Sequence, residues 1–226
     1  DVVMYHLHVR GFTKQKNSGV RHKGTFAGLR EKLPYLQELG INQVRLMPVY
    51  DFAEMTPRLE LKGVPKTQKE AVARAAERLP EEEAWRMNYW GYGPGFYFAP
   101  KSSYAASSDP DLELKQLIRA MHALGMELIL EFPFTEDTDM LLILECLQYW
   151  VQEYHVDGFA LMARSTACEE LARLPMFRDV KLIGEWFPDS LVQKNARMWH
   201  SRLAESNDGF MNDCRRMLRG DGEQSG

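Results

Sequence analysis

What most constrains this chain is the alternation of short apolar runs with longer segments of helical period. "DVVMYHLHVRGFT" (1–13) alternates through Val3, Tyr5, Leu7 and Val9 and breaks at Gly11, the pattern of a strand. "GTFAGLREKLPYLQELG" (24–40) sets Leu29, Leu33, Leu36 and Leu39 at helical spacing and stops at Gly40. "INQVRLMPVYDF" (41–52) reads as a second strand, closed by Pro48. A helix is predicted over 109–126, with Asp109 as its cap and Pro110 in its first turn, leading into a third strand, "ELILEFPF" (127–134). "DMLLILECLQYWVQEYH" (139–155) is a helix feeding a fourth strand near 156–162, and a shorter helix near 167–174 precedes "VKLIGEWF" (180–187). "SNDGFMNDCRRMLRGDG" (206–222) closes the pattern as a helix. About five strands near 2–9, 42–48, 127–134, 156–162 and 180–186, joined by crossover helices, predict an α/β fold with a parallel sheet.

Several function classes fall away. A net charge of −4 makes no electrostatic case for nucleic acid or an anionic membrane. The most apolar stretches are shorter than the ~18–20 residues of a membrane helix and carry acids. The three cysteines, Cys146, Cys168 and Cys214, are far apart and odd in number, which fits free thiols in a reducing cytoplasm. The chain opens on Asp1 rather than Met, as a piece of a longer protein would, so its lack of a leader says little. Residues 53–87 are polar and charge-rich and read as an insertion with one helix near 66–79.

The glycines of "GYGPGF" (91–96) are no dinucleotide fingerprint, because Pro94 intervenes and the flanks are aromatic. No phosphate loop, nucleophile elbow or Cys-x-x-Cys occurs. His6 and His8 sit two apart, but no further ligand lies close in sequence, so neither a metal nor a cofactor is expected. The loop "NYWGYGPGFYFAPKSSYA" (88–105) is more telling, with Tyr89, Trp90, Tyr92, Phe96, Tyr97 and Phe98 in ten residues. Such rings suit the C–H faces of sugars, and they equally suit an aromatic plug over the sheet.

Together, "VMYHLHVRGFT", "GTFAGLREKLPYLQELGINQVRLMPVYDF", "NYWGYGPGFYFAPKSSYA", "VDGFALM", "LIGEWF" and "SNDGFMNDCRRMLRGD" resemble glycoside hydrolase family 13, the α-amylase family. The likeness is strongest to its glycogen-debranching, isoamylase and pullulanase branch, and is interrupted mainly by the 53–87 insertion. It implies a (β/α)8 TIM-barrel type fold, incomplete here, with residues 1–226 as one partial barrel domain. It also implies an α-1,4/α-1,6-glucan partner and retaining hydrolysis by paired carboxylates.

Carried over residue by residue, the resemblance makes Glu185 of "LIGEWF" the general acid. The nucleophile position, at the end of the fourth strand, holds Met162, and the arginine expected two residues before it is Ala160. A thioether cannot form the usual ester intermediate. Asp157 lies five residues upstream, ~16 Å back along a strand, at the structural end of the barrel. At the third strand the family's Asp and Asn-His pair are matched by Glu131, Thr135 and Glu136. Tyr92 matches the sugar-stacking tyrosine, and Tyr89, Trp90, Glu131 and Glu136 complete the expected substrate-binding set. The family's third acid belongs to a seventh strand, whereas the chain is expected to reach only its fifth, so further strands or another segment must cover the open sheet.

Loss of a nucleophile alone costs ~10⁴–10⁶ in rate in another hydrolase class. Three readings follow: a degenerate domain that keeps at most glucan binding; an active debranching-type hydrolase or transferase pairing Glu185 with Glu131 or Glu136; and a structural or interaction module without the groove.

Overall fold

The computed structural model describes residues 1–57, 85–135, 137–161, 170–184 and 203–220. Strands β1 (Met4–Leu7), β2 (Gln43–Leu46), β7 (Glu127–Phe132), β8 (Gly158–Leu161), β9 (Lys181–Gly184) and β10 (Leu203–Glu205) form one sheet in that order. Every neighbouring pair is parallel. Helices α4 (Pro110–Ala123) and α5 (Met140–Tyr154) are the crossovers into β7 and β8. This is the wall of an incomplete (β/α)8 barrel, with six strands rather than the expected five. The sixth escapes a periodicity reading because β10 is three residues long and two of them are exposed.

Register sorts the side chains into two unlike faces. On one, Leu7, Val44, Leu46, Leu130, Phe132, Phe159 and Leu182 join the buried core with residues such as Leu117, Met121, Leu147 and Trp150 of the helices. On the other lie His6, Gln43, Arg45, Glu127, Glu131 and Lys181, linked to one another through hydrogen bonds and ion pairs. One face of the sheet is thus packed on helices, and the other is lined largely by polar groups that pair with one another.

Local chemistry shifts several boundaries. The first strand ends at Leu7, and helix α1 (Val9–Thr13) follows, because His8 Nδ1 accepts from the Gly11 amide at 3.0 Å and caps it. The segment 24–40 is two helices, α2 (Phe26–Glu31) and α3 (Leu33–Glu38), with Pro34 in the first turn of the second. Beyond Pro48, β3 (Tyr50–Phe52) is a separate strand, antiparallel to β6 (Gly95–Pro100), so the aromatic segment is in part a strand. The ends of the insertion zip together as β4 (Met55–Pro57) and β5 (Trp85–Met87), and its expected helix near 66–79 lies outside the described residues. Of the helix expected near 167–174, residues 170–174 are described; 170–172 are helical and the helix has ended by 173.

Asp109 caps α4 by accepting from the Leu112 amide at 2.9 Å, as the sequence predicts. Buried Glu113 accepts from the amides of Ala27, Ala106 and Ser107, tying α2 and the end of the aromatic segment to α4. The last helix, α6 (Asp208–Arg219), is capped by Asn207 and stopped by Gly220 at φ 69°.

Candidate functional site

The strand ends where α/β barrels place their chemistry are built around Glu131, the second-last residue of β7. Its side chain is fully buried, while that of Arg45 on β2 is 15% exposed and that of His6 on β1 is 44% exposed. Arg45 Nε and Nη2 each reach Glu131 Oε2 at 2.8 Å, and His6 Nε2 donates to the same oxygen at 2.9 Å. The Tyr92 hydroxyl donates to Glu131 as well. Burial pushes the carboxyl pKa up, but the bonds from His6 and Tyr92 and the Arg45 charge outweigh it, leaving the group below the usual carboxylate range. Burial and the bond to Glu131 push the Tyr92 phenol well above its ordinary value. Glu131 Oε1 is buried without a hydrogen-bond partner among the described residues, and the register neighbour of Glu131 on β8 is Ala160, a methyl group.

The aromatic segment divides its rings between two tasks. Asn88 shapes the turn, its Oδ1 accepting from the Gly91 amide at 3.1 Å and its Nδ2 donating to the Tyr92 carbonyl at 3.2 Å. Gly91 has φ 80°, and a Cβ there would lie 2.4 Å from the Phe52 ring, so this turn needs glycine. Tyr97 packs into the core, its ring 5.1 Å from Phe134 and its carbonyl accepting from Trp150 Nε1 at 2.7 Å. Tyr89 stacks at 4.8 Å on His8, whose Nε2 lies 2.8 Å from the Tyr104 hydroxyl. Burial, together with the Arg10 charge, lowers the His8 pKa to about 4. Trp90 and Tyr92 remain exposed, at 53% and 39%. The segment is therefore a plug at Tyr97 and an open aromatic surface at Trp90 and Tyr92.

Beside Ala160 lies a cavity of about 380 Å³, lined by Arg45, Ala160, Ile183, Gly184, Ser206 and Asp208 among others. Asp157 lies at the opposite end of the sheet, where its Oδ2 accepts from the Leu128 amide at 2.7 Å and from His122 Nε2 at 2.9 Å. Of the residues expected at the site, Tyr89, Trp90, Tyr92 and Glu131 are described, whereas Glu136, Met162 and Glu185 lie outside the described residues. Arg45 was missed by sequence reasoning, and its signal was a cation inside the apolar run "QVRLMPV". Among the described residues no group of three His, Cys, Asp or Glu is placed to hold a metal ion, and no helix is long and apolar enough to cross a membrane.

Comparison with known proteins agrees with this architecture. The family described as "Alpha amylase, catalytic domain" matches residues 7–138, more than half of the chain. The chain is similar to isoamylase 3, chloroplastic, of Oryza sativa subsp. japonica, at 28% identity over 98% of this chain and 34% of that protein. It is 26% identical to the glycogen operon protein GlgX homolog of Haemophilus influenzae, over 99% of this chain and 40% of that protein. A pullulanase from Paenibacillus barengoltzii, solved with maltohexaose and alpha-cyclodextrin, superposes with a TM-score of 0.63 at 25% identity, over 92% of this chain and 40% of that one. The chain thus spans between a third and two fifths of the length of these relatives. With the parallel barrel wall and these matches, the chain belongs to the α-amylase family, glycoside hydrolase family 13, on its isoamylase, GlgX and pullulanase side.

Proposed function

We propose that this chain is an α-glucan-binding family 13 domain that does not perform the family's hydrolysis. The observation that carries the reading is Ala160: a buried methyl group is the register neighbour of Glu131 on β8, where the family resemblance calls for arginine. Met162 stands at the nucleophile position, and a thioether cannot form the ester intermediate with a sugar carbon. Glu131 is a poor substitute base, because its carboxylate is locked to Arg45 and His6 and held below its usual pKa. That argues against pairing Glu185 with Glu131 in an inverting reaction.

Glucan binding is supported by the exposed rings of Trp90 and Tyr92, fixed by the Asn88 turn, which can cover the apolar faces of sugar rings. It is also supported by the maltohexaose complex of the similar pullulanase. A cytoplasmic setting is part of the proposal and rests on the three widely spaced cysteines.

The test pairs affinity electrophoresis in glycogen-containing native gels with a reducing-sugar assay on pullulan and glycogen. Retardation that weakens in Tyr92→Ala and Trp90→Ala, with no sugar released, is the expected result. Sugar release that disappears in Glu185→Gln would establish an active enzyme instead. Absence of retardation would leave a structural module.

A further inference from the structure

The loop between α1 and α2 concentrates positive charge on a chain that is acidic as a whole. From Val2 to Arg30 no Asp or Glu occurs, whereas Arg10, Lys14, Lys16, Arg21, Lys23 and Arg30 do, against a net charge of −4 for the molecule. The loop backbone is fixed from within. Buried Thr13 accepts from the Gly24 amide at 2.7 Å, Glu31 accepts from the Arg21 amide at 2.7 Å, and Val20 is buried. Three of the cations are already engaged. Arg10 pairs with Glu54, Arg30 donates to Gln116, and the Lys23 ammonium donates to the Lys16 carbonyl. Lys14, Lys16 and Arg21 remain exposed, with no ion pair among the described residues.

A run of contacts leads from this loop to the aromatic surface. A Cβ at Gly24 would lie 3.3 Å from Lys14 Cδ and 3.4 Å from Arg10 Cγ, so these two stems meet over Gly24. The Arg10 guanidinium is 5.3 Å from the centre of the Tyr104 ring. Tyr104 is 5.5 Å from the His8 ring, and His8 is 5.5 Å from Trp90. The basic loop therefore flanks the side of the surface that carries Trp90.

We propose that Lys14, Lys16 and Arg21 form a site for phosphate monoester groups carried on an α-glucan, so that the chain prefers phosphorylated to neutral glucan. The proposal rests on the glucan-binding reading above and names the substituent that the glucan carries. A neutral polysaccharide offers these cations nothing to neutralise. A phosphate monoester carries ~1.5–2 negative charges at pH 7 and three acceptor oxygens, which suit two ammonium groups and a planar guanidinium. Because the loop backbone is held in place, the cations are clustered before any ligand arrives. The acidic remainder of the molecule repels a long polyanion such as nucleic acid, whereas an isolated ester on a neutral chain meets the loop alone.

The experiment is surface plasmon resonance of the full chain on immobilised phosphorylated amylopectin and on the same polymer after phosphatase treatment. In low salt, binding to the phosphorylated polymer is expected to be about 10-fold tighter. The preference should vanish in ~1 M NaCl, where the Debye length is ~3 Å. It should also vanish in the triple variant Lys14→Ala, Lys16→Ala, Arg21→Ala, which alters exposed side chains and is expected to keep the parent's thermal midpoint and its affinity for the treated polymer. Equal affinity for the two polymers in low salt, or a preference that survives the triple variant, would overturn the site while leaving the glucan surface intact. Failure to bind either polymer would remove both readings. Displacement of the phosphorylated polymer by inorganic phosphate at equal phosphate concentration would make the loop a free-phosphate site. Displacement by an oligonucleotide at that concentration would make it a nucleic-acid surface, and either result overturns the glucan-ester assignment.

Discussion

Glu131 is buried and charged, a combination that persists only while its partners stay in place. Arg45→Met removes one partner and leaves His6 and Tyr92, so a loss of about 1.5–3 kcal/mol in urea denaturation at pH 7 is expected. The gap between variant and parent should narrow as pH falls through 4.5, the ordinary carboxylate value, because a protonated Glu131 no longer needs the guanidinium. The same spacing of groups predicts that Met162→Asp alone restores no pullulan hydrolysis. An aspartate there would still lack the arginine replaced by Ala160, and Thr135-Glu136 would still stand where the family has Asn-His. Measurable release of reducing sugar by this single variant would show that the neighbouring losses are secondary.

At the scale of elements, β8 shows why a short strand tolerates so little change. A Cβ at Gly158 would lie 2.6 Å from the Lys181 carbonyl oxygen and 2.7 Å from Ile129 Cδ1, so β9 and β7 approach as they do only because this residue is glycine. Gly158→Val is expected to destabilise the fold by at least the ~1–3 kcal/mol typical of overpacking, seen as a lower thermal midpoint, without touching Trp90 or Tyr92. Most of the strands were legible because residues such as Val44, Leu130 and Phe159 bury themselves against the helices and leave apolar runs. The elements that were not legible lack that mark. β10 buries little, and the Leu7–Val9 boundary keeps its apolar alternation even though a His8 side chain turns it into a helix start. Within the site, Tyr92 and Glu131 were named through family resemblance, and the structure brings them together. Arg45 was not, since a diagonal contact from β2 to β7 depends on register rather than on any local pattern.

For the whole molecule, the titrating groups point to one acid limb of stability. His8 is held at about 4 against an ordinary 6.5, so the unfolded chain binds its proton first and stability begins to fall as pH drops below 6.5. Glu131, held below its ordinary 4.5, adds a second loss as pH falls through and below that value. Thermal midpoints measured between pH 8 and about pH 3 should therefore decline in two stages, and His8→Gln should flatten the first. The two unlike faces of the sheet carry a further consequence. Hydrophobic burial between sheet and helices supplies cohesion, while Arg45, Glu131 and Ala160 lie on the other face. Replacing an arginine on that face leaves the apolar contacts of the other side untouched. Selection on folding alone is therefore blind to whether the reaction survives, and a lineage can discard its chemistry while inheriting an undisturbed scaffold.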